Sequence, residues 1–127
     1  MIVLDTDVLI EVLDRRSERG AKALDKLGGF PDDTVATTSI NLHEILYGCI
    51  RHSKPVGGLS ALHVLPFTKV DSELSSRMES DLEGSGAKVQ RADAMIAAIA
   101  VNNGARLFTY NAAHFQRMAS HGLRLVE

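Results

Sequence analysis

MIVLDTDVLI, residues 1–10, is the stretch of sequence that decides the fold. The apolar run Ile2–Leu4 is typical of a short buried strand, and over residues 7–14 the apolar side chains recur at helical spacing. A strand that leads directly into a helix indicates an α/β protein. Two acids, Asp5 and Asp7, stand at this junction. In open parallel sheets the carboxyl ends of the strands bind ligands, so the same segment indicates where function lies.

The alternation of strand and helix continues along the chain. The pattern predicts helices over residues 17–27, 39–48, 71–83, 91–101 and 114–119, and strands over 34–38, 61–68, 105–110 and 123–127. Such alternation favours a parallel sheet. We therefore predict one α/β domain over residues 1–127, in which helices flank a central, mainly parallel sheet of four or five strands.

Composition narrows the classes of function. The formal net charge of −2 gives no overall basic surface, so a nucleic acid would need a local basic patch or bound metal ions. Cys49 is the only cysteine, which excludes an internal disulfide and a cysteine-based metal site and favours a reducing compartment. No apolar stretch approaches the roughly 20 residues of a membrane helix. We expect a soluble, cytoplasmic protein without a membrane partner.

Acidic residues recur where strands meet helices, and each also has a structural interpretation. Asp5 follows the first strand, while Asp7 is the better candidate for the N-cap of the next helix. Glu44 is expected in the first turn of its helix, where it serves as a ligand or completes a capping box with Asn41. Asp93 opens a helix that is apolar on nearly every side, and a charge buried there needs a partner or a metal ion.

A parallel sheet would gather three of these acids, Asp5, Glu44 and Asp93, at one edge. Carboxylates brought close together repel one another, so such a pocket holds protons or binds cations. Sites rich in oxygen and free of cysteine favour Mg²⁺ or Mn²⁺. That chemistry is suited to metal-assisted hydrolysis of phosphodiester bonds.

Four segments carry a resemblance to a known family. In chain order they are IVLDTDVLIEVL, TSINLHEILYG, ADAMIAAIA and LFTYNAAHF, and together they span residues 2–115. In their order and spacing the chain resembles the PIN-domain family, and in particular the VapC-type toxins of toxin–antitoxin pairs.

The resemblance implies a Mg²⁺- or Mn²⁺-dependent endoribonuclease. Asp5, Glu44 and Asp93 match the three acids that bind the metal and carry catalysis in the family. It further implies an RNA substrate, a homodimer and a small VapB-like antitoxin that covers or disturbs the acidic pocket. Auxiliary positions around the three acids are Thr6, Asp7, Ser39 and Thr109.

One departure from the family pattern concerns the last motif. Many members carry a fourth acid there, whereas this chain has Asn111 and His114. Because Asn111 brings no charge, we expect one well-held metal ion and a second that binds weakly or only together with RNA.

Basic residues offer candidate RNA contacts. Arg15, Arg19, Lys22 and Lys26 are spaced four, three and four residues apart, which places them on one face of the second predicted helix. They form either a track for phosphates or an ordinary solvated face. Arg91 is a further candidate beside an acidic motif.

Three other interpretations were weighed. Phosphatases of the haloacid dehalogenase type also begin with a strand and D-x-D, but their motif requires Thr or Val where this chain has Leu9. A receiver domain requires a lysine near its last strands, which RLFTY and LRLVE lack. The third alternative, motivated by Asn111, is a PIN-like module that binds RNA or protein with lost or weak cleavage.

Overall fold

A five-stranded sheet, parallel throughout, forms the centre of the fold in a computed structural model that describes residues 1–55 and 57–127. The spatial order is β3-β2-β1-β4-β5. The strands are β1 Ile2–Leu4, β2 Val35–Thr38, β3 His63–Leu65, β4 Arg106–Phe108 and β5 Arg124–Leu125. The predicted α/β class and the predicted parallel sheet are confirmed.

Helices connect the strands and cover both faces of the sheet. They are α1 Thr6–Leu13, α2 Glu18–Leu27, α3 Ser39–Arg51, α4 Lys69–Gly84, α5 Arg91–Asn102 and α6 Ala112–Phe115, with short 3₁₀ helices at Leu59–Ala61 and Gln116–His121. Among the described residues, no helix is both long enough and apolar enough to cross a membrane.

The two faces of the sheet have separate apolar cores, because alternate residues of a strand point to opposite sides. Ile2 and Leu4 of β1 pack on the side of α1 and α2, whereas Val3 packs on the side of α4 and α5. Helix α5 is buried over most of its length, as its apolar sequence predicts. Its many alanines allow the helix backbone to approach the sheet closely.

The strand order places a topological switch point beside β1. From β1 the chain builds outward through β2 and β3 on one side and later through β4 and β5 on the other. A crevice opens between the carboxyl ends of the two strands that flank such a point, and ligands bind there. Asp5 follows β1 and Thr109 follows β4, so both residues stand at this crevice.

The helix starts differ from the predicted ones in two places. Asp5, and not Asp7, is the N-cap of α1, since its carboxylate accepts the Thr6 N–H at 2.9 Å. Helix α3 is capped by Thr38, whose hydroxyl accepts the Asn41 N–H at 3.1 Å. Glu44 consequently lies in the second turn of α3 and not in the first, because Thr38 already fulfils the role expected of an Asn41–Glu44 capping box.

Arg15 is also misplaced by the sequence pattern. It lies in the turn between α1 and α2, because α2 begins only at Glu18 with Ser17 as its N-cap. Arg15 therefore does not continue the basic face of α2.

Helix α2 is held very close to α1 at Gly20. A Cβ atom on Gly20 would lie 2.0 Å from the Glu11 carbonyl oxygen, a distance that no real side chain tolerates. The Ser17 hydroxyl donates to the Glu11 carboxylate across the same contact. The missing side chain of Gly20 therefore sets how near α2 stands to the rest of the domain.

We expect Gly20→Ala to lower the free energy of unfolding by about 1–3 kcal/mol, because α1 and α2 must separate to admit the methyl group. The matched control is Gly48→Ala in the interior of α3, where no atom lies within 4 Å of the added Cβ. That change should stabilise the protein by up to about 1 kcal/mol through helix propensity. Urea denaturation of both variants checks the opposite signs, and equal losses would contradict the close contact.

Candidate active site

The Asp5 carboxylate is the centre of the site. Its side chain is 8% exposed and is surrounded by neutral donors from three different elements. Oδ1 accepts the Thr6 N–H at 2.9 Å and the Asn41 side-chain amide at 3.0 Å. Oδ2 accepts the Thr109 hydroxyl at 2.7 Å. The ends of β1 and β4 and the start of α3 thus all meet at one carboxylate.

Asn41 organises this centre, a role that sequence reasoning missed. The residue is fully buried, and its amide nitrogen also donates to the Thr6 hydroxyl at 2.9 Å. The amide oxygen of Asn41 accepts the Thr38 hydroxyl at 2.7 Å. A polar residue in the first turn of a helix that follows a strand end was the available signal, but it was interpreted only as a cap.

Glu44 faces the same region from the second turn of α3. Thr6 donates its hydroxyl to Glu44 Oε1 at 3.0 Å. Partial burial raises the pKa of Glu44 above its usual value; the Thr6 hydrogen bond opposes this rise, and the negative charges of Asp5 and Asp93 add to it. The three acids predicted as a group therefore influence one another electrostatically.

Asp93 lies in the first turn of α5, as predicted, and is half-buried beside His114. Its Oδ2 is 2.9 Å from His114 Nε2. Arg117 donates to the other ring nitrogen, Nδ1, and a guanidinium group has no acceptor. Nδ1 must therefore accept, which leaves Nε2 to carry the proton that is donated to Asp93.

Burial raises the pKa of Asp93, which His114 lowers again and Asp5 raises further. Arg117 was not predicted as part of the site. It also donates to the carbonyl oxygens of His114 at 3.0 Å and Lys88 at 3.2 Å, so it fastens the last motif to the loop before α5.

Asp7 lies next to the centre without joining it directly. Its Oδ2 accepts the Tyr110 N–H at 3.2 Å, whereas its Oδ1 is buried with no hydrogen-bond partner among the described residues. Burial and the charge of Asp5 raise the pKa of Asp7. A half-satisfied carboxylate with a raised pKa is typical of a group that shares its surroundings with other acids.

The remaining auxiliary positions divide. Thr6 and Thr109 hold Asp5, as described above. Asn111 is exposed and participates through its backbone, whose N–H donates to the Thr109 hydroxyl at 3.0 Å. Ser39 starts α3, and in the described part of the chain no hydrogen bond joins its side chain to the three acids.

The donor set suits a hard cation, since it consists of oxygens with mutually raised pKa values. Within residues 1–55 and 57–127, however, no three His, Cys, Asp or Glu side chains converge closely enough to hold a metal ion together. Mg²⁺ does not require such a cage, because it keeps several waters and takes one or two carboxylates plus substrate phosphates. The residues therefore fit Mg²⁺ in chemistry, and the metal site stays a prediction.

The basic candidates also divide. The Arg19 guanidinium lies 4.0 Å from the centroid of the Tyr110 ring, and the Lys26 ammonium lies 5.6 Å from that of Phe108. Arg91 instead forms an ion pair with Glu79 at 3.1 Å. The basic side chains nearest the site thus come from α2.

The fold and the site define an α/β domain with an acidic pocket at the switch point of a parallel sheet. The chain belongs to the PIN domain family, whose sequence model matches residues 2–120. The resemblance inferred from the four motifs is therefore confirmed.

Solved structures extend this result to nearly the whole chain. VapBC2 from Rickettsia felis, bound to a DNA fragment from its promoter, is 26% identical with a TM-score of 0.80, covering 98% of this chain and 97% of that one. DNA-bound VapBC from Salmonella typhimurium is 25% identical with a TM-score of 0.74, covering 98% and 95%. FitAcB from Neisseria gonorrhoeae, 20% identical with a TM-score of 0.78 and covering 100% and 97%, shares the fold. No curated protein sequence gave a match.

We expect Asn41→Asp to lower the free energy of unfolding by about 3 kcal/mol, because it replaces two donors with a further charge beside Asp5. Asn103→Asp is the control, since Asn103 is exposed and bonds only the Ile99 carbonyl oxygen, at 2.7 Å. That change should cost less than about 1 kcal/mol. Similar losses in urea denaturation would show that Asn41 has no special role.

The raised pKa of Glu44 makes stability depend on pH. Above its ordinary value of 4.5 the folded state holds the Glu44 proton longer than the unfolded state does, so the free energy of unfolding falls as the pH rises through that range. Glu44→Gln should flatten this fall and stabilise the metal-free protein at pH 7. Thermal melts in chelator across this range test it, with exposed Glu73→Gln as control; identical profiles for both variants would contradict the interpretation.

Proposed function

We propose that this protein is a Mg²⁺- or Mn²⁺-dependent endoribonuclease. The observation that carries the proposal is the placement of Asp5, Glu44 and Asp93 at the switch point of a PIN domain, where charge repulsion and burial raise the pKa of two of them. A bound cation would relieve that repulsion.

Asp5, Glu44 and Asp93 would hold the metal ion, which when bound supplies an activated water and stabilises charge on the leaving oxygen. The chain's own contribution is to orient these oxygens. Asn41, Thr6 and Thr109 fix the Asp5 carboxylate from both of its oxygens. His114 engages Oδ2 of Asp93 and leaves Oδ1 to the pocket.

The number of metal ions follows from the last motif. Asn111 carries no charge, and His114 adds a donor to Asp93, so both positions reduce the negative charge that a second cation would need. We therefore propose one well-held metal ion and a second that binds weakly or with RNA. Two tight, equal sites in a Mn²⁺ titration without RNA would contradict this.

We further propose that the protein is the toxin of a toxin–antitoxin pair. The support is the likeness over nearly the full chain to VapBC structures, one of them at 26% identity. A small VapB-like antitoxin is then the expected protein partner, and a homodimer the expected assembly.

The proposal predicts discrete, metal-dependent cleavage of labelled total RNA by the purified protein free of antitoxin. We expect Asp93→Asn to reduce the rate on the order of a hundredfold or more, because a charge that stabilises the transition state is lost. Asp81→Asn is the matched control, since Asp81 bonds His121 Nε2 at 2.8 Å much as Asp93 bonds His114. It should cleave as the wild type does.

An alternative is a PIN-like module that binds RNA or a protein without cleaving. It is favoured by the protein donors that already engage each acid and by the absence of a converged three-ligand cluster in the described residues. No cleavage by folded wild-type protein in Mg²⁺ or Mn²⁺ would select this alternative.

A further inference from the structure

A groove with a volume of about 760 Å³ runs between α2 and the carboxyl ends of β4 and β5. Its volume is in the range of pockets that bind small organic ligands. We call it the α2–β4 groove and define it by the residues that carry the argument: Arg19, Lys22, Lys26, Phe108, Thr109 and Tyr110.

We propose that the α2–β4 groove binds a segment of single-stranded RNA that flanks the reacting phosphodiester. The inference rests on the proposed function, since it assigns a path to the same RNA substrate. It selects three of the basic candidates and adds an aromatic partner that composition alone did not indicate.

Charge supplies the first argument. Arg19, Lys22 and Lys26 are spaced three and four residues apart on α2, so they line one wall together. The span from Arg19 to Lys26 is about 10 Å of helix. By contrast, Arg91 is engaged by Glu79, and Arg15 lies outside the helix. The phosphates of a strand in the groove would therefore meet the cations of α2.

Stacking supplies the second argument. The Arg19 guanidinium lies over the Tyr110 ring at 4.0 Å, and the Tyr110 hydroxyl donates to the Arg19 carbonyl oxygen at 3.3 Å. The two side chains thus form one preassembled unit at the mouth of the groove. Unpaired RNA bases stack on aromatic rings and on guanidinium planes. Buried Phe108 supplies an apolar floor below Lys26.

Continuity with the acids supplies the third argument. Thr109 lines the groove, and its hydroxyl donates to Asp5 at 2.7 Å. The backbone N–H of the next residue, Tyr110, donates to Asp7. The groove and the acidic pocket therefore share one wall, so a strand that lies in the first leads to the second.

Two acids, Asp25 and Glu127, also line the groove. They offset the basic wall, so the groove is not a general sink for anions. Carboxylates accept hydrogen bonds from exocyclic amino groups of bases, which gives them a role toward RNA that they lack toward an acidic peptide.

The test measures binding without cleavage. A labelled, unstructured RNA of about 12 nucleotides is titrated with Asp93→Asn protein in chelator, and fluorescence anisotropy is recorded at several salt concentrations. In this background Lys22→Gln with Lys26→Gln should weaken binding at least tenfold. The slope of log K against log salt should fall by about 1.4, which is about 0.7 for each lost phosphate contact on a single strand.

The matched control is Lys69→Gln with Arg77→Gln, which removes the same charge from exposed positions on α4. It should bind RNA as the parent does. Equal weakening by both pairs would overturn the proposal, because only net charge would then matter. Tyr110→Leu should weaken binding about tenfold without changing the salt slope, and Tyr110→Phe should restore it.

The outcomes separate this inference from the proposed function. If wild-type protein does not cleave RNA but the α2 pair abolishes binding, the chemistry fails and the groove stands. If the wild type cleaves and the α2 pair binds like the control, the groove fails alone. Loss of binding to an acidic peptide of equal length, with RNA binding intact, would assign the groove to a protein partner and overturn the inference.

Discussion

The buried carboxylate of Asp5 is the constraint on which the rest of the site depends. A charge that is 8% exposed must be compensated, and here the compensation comes entirely from neutral donors. These donors come from the start of α1, from α3 and from the end of β4. The arrangement fixes three elements around one group, because no donor can move without leaving a buried charge unsatisfied.

The same constraint limits how stable the pocket can be. The Asp5 charge raises the pKa of each acid placed near it, namely Asp7, Glu44 and Asp93. Gathering acids in this way destabilises the folded state at neutral pH and makes the pocket receptive to a cation. His114 and Arg117 moderate the effect at Asp93 and hold it in one orientation. The apolar cores on both faces of the sheet supply the stability that the pocket lacks.

Much of this was predictable from the sequence. Strand and helix patterns are local, so the sheet, the burial of α5 and the positions of Asp5 and Asp93 were predicted correctly. The caps were not, because Asp5 and Asp7 both suit an N-cap and only the backbone decides between them. Asn41 and Arg117 were missed because their partners lie far along the chain or in another element. Arg91 was proposed as an RNA contact because nothing local reveals its ion pair with Glu79.

The strand order has a consequence for the time at which the site forms. Asp5 belongs to the first strand to leave the ribosome, yet the Thr109 hydroxyl that completes its surroundings lies 104 residues later. Strand β1 also waits for β4, its partner on one side, until most of the chain is made. Parallel pairing over such separations is slow. A partly synthesised chain therefore carries the acids without the pocket, and its chemistry begins only when the domain is nearly complete.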